Sequence, residues 1–183
     1  MVPARTKPGR TRFLASLAFV LLLAAETGAL EFRNLDASEL VRRSTEIVHA
    51  VCLSAEGVRM EDGDIFTEYA FSPFESIKGI VADPFSFRLH GGAVGDESVM
   101  IPDMPTFAVG REYVLFLDNG RLILSGSFEV LYRAGVRVER VLASIPPGLK
   151  LNDAVSEKSL GQGNEVSLEN FFYSIKKLME EDK

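Results

Sequence analysis

A chain of 183 residues has room for one domain with a core of its own and does not demand two. Its 46% hydrophobic and 25% charged residues exclude bulk disorder. A formal net charge of −6, from 20 basic and 26 acidic residues, disfavours nucleic acid and anionic membrane surfaces as partners.

The chain opens with Arg5, Lys7, Arg10 and Arg12, followed by an uncharged run over 13–25 and small residues at Ala25 and Ala29. A basic start, a short apolar middle and a small-residue exit read as a secretory signal peptide over residues 1–29. A spanning helix needs about 20 apolar residues, so no permanent membrane anchor is expected. Arg10 and Arg12 are not adjacent, which favours the ordinary unfolded-export route, and no cysteine near the exit marks a lipid attachment. Removing the segment takes four of the 20 basic and one of the 26 acidic residues and moves the net charge to −9. The expected location is periplasmic or secreted. Cys52 is the only cysteine, so no internal disulfide forms and stability must come from packing. Inside an apolar strand it reads as a small buried hydrophobe.

After the signal, Asp36 is placed to cap a short helix over 37–44, with Leu40 and Val41 turned to the body. Residues 45–55 form the first expected strand, apolar on both faces, and Glu61-Asp62-Gly63-Asp64 turns it into a second. That second strand, 65–79, alternates Ile65, Thr67, Tyr69 and Phe71 until Ser72-Pro73 interrupts it, because proline cannot donate to a ladder. A long, bulged aromatic strand of this kind lets a small barrel bend around its core. Phe85, Phe87 and Leu89 alternate with Ser86, Arg88 and His90 in a third, half-buried strand. Glycines 91, 92 and 95 flank a loop before a short strand at 99–101. An apolar strand follows at 112–117, and Asp118-Asn119-Gly120 signals a tight hairpin into 121–125. A weaker hairpin joins 128–132 to 136–141. Residues 143–165 show no sustained period and read as an irregular linker. Ser167 caps a last helix whose Leu168, Phe171, Phe172, Ile175, Leu178 and Met179 share one stripe.

These pieces predict a mainly β fold: a small OB-like antiparallel barrel of five to seven strands, with a short N-terminal helix and an amphipathic C-terminal helix. The barrel domain is expected over 30–142, the linker over 143–165, and the helix, packing on the barrel, over 166–183. The order Arg42-Arg43-Ser44, the strand at 47–51, Ile77-Lys78-Gly79, and the run 105–110 leading into 112–117 resembles OB-like barrels in small exported bacterial proteins of poorly defined function. Through Tyr69, Phe71, Lys78-Gly79 and Glu112-Tyr113 the chain is distantly similar to the N-terminal domain of tissue inhibitors of metalloproteinases. Those inhibitors chelate the protease zinc with an N-terminal Cys-x-Cys. This chain has no cysteine before Cys52, so inhibition by that route is not implied.

Catalysis needs a constellation of groups, and local spacing supplies none. His49 and Cys52 are three apart on a strand and point to opposite faces, so they make no local nucleophile–base pair. His49 among apolar neighbours reads as a core or edge histidine. Glu61, Asp62 and Asp64 lack a registered distal carboxylate and read as a solvated hairpin tip, not a calcium loop. Residues 91–95 precede no helix and carry no phosphate-binding fingerprint. Phe71, Phe74, Phe85 and Phe87 are assigned to the core rather than to a stacking platform. No catalytic residue, cofactor or metal is expected. Arg88 and His90, on the polar face of the third strand, are the candidate binding residues. The resulting expectation is an exported, non-enzymatic domain that binds a protein or peptide partner in the cell envelope or outside it, a secreted protease being one such partner. Inhibition or chaperoning of a metalloprotease and oligosaccharide binding are the alternatives.

Overall fold

The computed structural model describes residues 35–134, 138–142, 144–150 and 166–181. The expected signal segment over 1–29 and most of the expected linker over 143–165 lie outside these residues. Among the described residues no helix is long and apolar enough to cross a membrane.

Helix α1 (Ala37–Arg43) begins where the Asp36 carboxylate accepts a hydrogen bond from the Glu39 amide at 2.8 Å. It ends where Lys78 Nζ donates to the carbonyls of Val41 and Ser44, at 2.7 and 2.6 Å. A cation on those last carbonyls satisfies orphan acceptors and suits the negative end of the helix.

In chain order the strands are β1 (Glu46–Arg59), β2 (Ile65–Lys78), β3 (Phe85–His90), β4 (Gly92–Val94), β5 (Glu97–Val99), β6 (Glu112–Asp118), β7 (Arg121–Ala134), β8 (Val138–Leu142) and β9 (Val166–Ser167), followed by helix α2 (Leu168–Glu181). Seven of them form one sheet in the order β3-β2-β1-β6-β7-β8-β9, antiparallel at every pair, and β4 with β5 makes a separate hairpin. The expected barrel is corrected here. Among the described residues β3 and β9 end the sheet, and although β7 comes back near β3 no ladder joins them. Alternation of side chains dictates which faces are buried; it does not dictate that two edge strands meet. The fold is mainly β with an open sheet.

Each face of the sheet carries its own core. One face, with Ile47, Val114, Phe116, Phe128 and Leu142, is covered by Leu40 and Val41 of α1 and by Phe171, Phe172 and Ile175 of α2. The other curls on itself, gathering Ala50, Cys52, Tyr69, Phe71, Phe87 and Leu115 beneath Phe107. Helix α2 starts where the Ser167 hydroxyl accepts from the Asn170 amide at 3.2 Å. It therefore packs on one face of an open sheet rather than on a barrel.

β2 serves both cores because its ladder slips. Opposite β1, Phe74 and Ile77 are extra residues, so Tyr69 and Phe71 enter the second core while Ile77 enters the first. The slip at Phe74 follows Pro73, which has no N–H to give.

Three sequence expectations change. β1 runs on to Arg59 rather than stopping at 55. The glycine-rich stretch holds the β4–β5 hairpin, and the short strand ends at Val99 instead of beginning there. The strands expected at 121–125 and 128–132 are one strand, β7, whose ladder with β6 is irregular between Leu122 and Ser127. Gly126 lies in that stretch, where a Cβ would fall 2.7 Å from Phe116 Cβ; only a bare Cα admits so close a crossing.

Candidate functional site

The pleat sends Thr67, Tyr69 and Leu89 to the curled face of the sheet, where they floor a cleft of about 330 Å³. Its walls are the β4–β5 hairpin and the segment 100–106. The hairpin lies against β1 and β2 because glycine makes room. A Cβ on Gly57 would stand 1.8 Å from the Ala93 carbonyl oxygen. The corner into the hairpin is pinned by the Gly91 amide donating to Ile65 O at 2.8 Å and by Thr67 Oγ1 donating to Gly91 O at 2.8 Å. The far end of the 100–106 segment is held by buried Phe107, which packs edge-on against Tyr69, Phe71, Phe87 and Tyr113. Tyr113 Oη accepts from the Ala108 amide at 2.9 Å. The lining is largely apolar, and Met100 is 92% exposed at its mouth. Folding alone leaves that side chain uncovered, and the methionines at 100 and 104 are flexible enough to repack around a guest.

Arg88 and His90 both project from the exposed face of β3. Arg88 is committed: its Nε donates to Glu68 Oε2 at 2.5 Å across the β2–β3 ladder. The His90 ring lies 4.0 Å from that of Phe66, centroid to centroid, with Nε2 3.9 Å from Asp64 Oδ2. His90 lines the cleft; Arg88 stands outside its lining.

Sequence reading missed a second polar cluster, at the end of the helix-covered face. His49 of β1 donates through Nε2 to Glu112 Oε2 of β6 at 2.8 Å, and the same carboxylate accepts from the Tyr132 hydroxyl of β7. Phe74 and Phe172 pack on the imidazole, with centroids 5.1 and 6.0 Å away. Glu75 of β2 and Arg140 of β8 also act on it electrostatically, and Lys176 of α2 holds Glu75 at 3.5 Å. Only the alternation in β1 hinted at this, since it puts His49 on the same face as Ile47. Glu112 is 63 positions away, and the ladder alone brings it near. Cys52 lies in the other core, so the two are indeed on opposite faces, and burial pushes its thiol up. Among the described residues no group of three His, Cys, Asp or Glu side chains is arranged to hold a metal ion.

Burial holds the His49 pKa below its ordinary 6.5, and Glu112 pulls the other way. The unfolded chain therefore binds a proton more readily than the folded one. The contribution of neutral His49 is complete above about pH 6.5 and is lost as pH falls below it, toward the lower folded value. Melting temperature should fall across that window, and His49→Gln should flatten the slope. Thermal melts at stepped pH check this; an identical slope in the variant would clear His49 of the effect.

No family model matches the chain, and no curated protein or solved structure is significantly similar to it. The resemblance to exported OB-like proteins and metalloproteinase inhibitors therefore rests on the quoted motifs alone.

Proposed function

We propose that this chain is an exported, non-enzymatic domain that binds a protein or peptide partner in the cleft between β3, the β4–β5 hairpin and the 100–106 segment. The observation that carries the reading is the solvent-facing apolar lining there, with Met100 at its mouth. A cleft of about 330 Å³ is at the small end of the usual ligand-pocket range of roughly 300–1,000 Å³. It accepts an anchoring side chain better than a folded surface. Export is supported by the basic and apolar opening of the sequence.

A catalytic role for His49 is the weaker account. The imidazole is 2% exposed beneath Phe74 and Phe172, and its partner carboxylate is shared with Tyr132. Oligosaccharide binding through Arg88 is weakened by the bond that ties it to Glu68.

Crosslinking from the cleft in the producing cell tests the proposal. The full chain should capture a defined partner, and Met100→Asp should lose it while keeping the same circular dichroism spectrum. Hydrolysis by the purified chain that depends on His49, His90 or Cys52 would overturn the reading.

A further inference from the structure

We infer that the occupant of the cleft is a cationic peptide segment anchored by an apolar side chain. This rests on the partner-binding reading above and adds the chemistry of the partner.

The cleft supplies the apolar half of the recognition and its rim the charged half. The β4–β5 hairpin and the 100–106 segment border it, and the β1–β2 turn follows Arg59. Arg59, at the end of β1, is occupied by Glu97 of β5 at 2.8 Å. Glu61, Asp62, Asp96 and Asp103 are exposed, and among the described residues no cation pairs with them. Asp103 sits between the lining residues Ile101 and Met104; Asp96 lies in the turn joining the two strands that wall the cleft. An approaching segment thus meets unneutralised carboxylates before it meets the apolar floor. That arrangement repels phosphates and acidic peptides, draws in Lys and Arg, and rewards one apolar residue between them. The exposed carboxylates set encounter and selectivity, while burial beside Met100 and Leu89 supplies the retention.

Panning the full chain against a displayed library of random linear peptides tests this. Enriched sequences should carry Lys or Arg flanking Leu, Met or Phe. Their affinity should drop between about 0.1 M and about 1 M salt, where the screening length shrinks from about 10 Å to about 3 Å. Asp62→Asn, Asp96→Asn and Asp103→Asn should each weaken binding about two- to fivefold, and Met100→Asp should remove it. All four positions are exposed, so the variants should keep the parent's circular dichroism spectrum. Enrichment of neutral or acidic peptides, or indifference to both salt and the Asp→Asn changes, overturns the cationic assignment. If Met100→Asp still abolishes binding in that case, the cleft reading survives. No enrichment at all, or binding unchanged in Met100→Asp, overturns both.

Discussion

Phe71→Ala should lower the unfolding free energy by about 3–5 kcal/mol, the usual cost of deleting a fully enclosed aromatic ring. Phe71 is 0% exposed, stacked on Phe85 and Phe87 at 5.5 and 5.3 Å and met edge-on by Phe107 at 5.4 Å and Tyr113 at 6.4 Å. Four rings from β3, β6 and the segment before β6 lose their common neighbour, and none of them can swing into the space without leaving its own contacts. Phe74, three positions on, provides the control. It is 58% exposed and, among the rings of the described residues, leans only on His49, so Phe74→Ala should cost about 0.5–1.5 kcal/mol. Urea titration of both variants decides. Equal losses would mean that the extra residue Phe74 is as firmly held as Phe71.

Gly57→Ala should cost about 1–3 kcal/mol for the addition of a single methyl group. The position is exposed and asks for no unusual backbone, so neither burial nor strain at residue 57 explains the effect. The new Cβ would meet the Ala93 carbonyl oxygen at 1.8 Å and Val94 Cγ2 at 3.2 Å. A backbone oxygen cannot turn aside as a side chain does, so the β4–β5 hairpin must lift off β1. Amide exchange should accelerate over 92–99 while β1, β2 and β6 stay protected, and binding in the cleft should weaken with it. Uniform acceleration across the whole sheet would show instead that the hairpin is integral to the fold.

Much of the architecture was open to local reading. Ile65, Tyr69 and Phe71 alternate inward as their spacing implies, and Asn119 and Gly120 take the positive φ values, 50° and 74°, that their tight turn requires. The continuity of β7 through Gly126 was not readable, because what the glycine accommodates is Phe116 of the neighbouring strand. The β4–β5 hairpin was invisible for a related reason: three-residue strands between glycines carry no readable period, and what holds them is Gly57, over thirty positions earlier. His90 follows Leu89 at the end of β3 and borders the cleft there. Arg88 belongs to the same pattern, and its Nε donates to cross-strand Glu68.

The sequence by itself determined the periods of the longer strands: which face of each is apolar, where Asp36 and Ser167 start helices, and that the charge balance is acidic. These are properties of residues within a few positions of one another, and side-chain alternation and capping act over that range. Only the tertiary structure decided what crosses the ladders. It leaves the sheet open, because closure depends on whether β3 finds a partner strand and not on any pattern inside β3. It joins His49, Glu112 and Tyr132 on one face through the register of three strands. It also makes a cleft from pieces that, read separately, were a turn, a loop and a proline-broken strand.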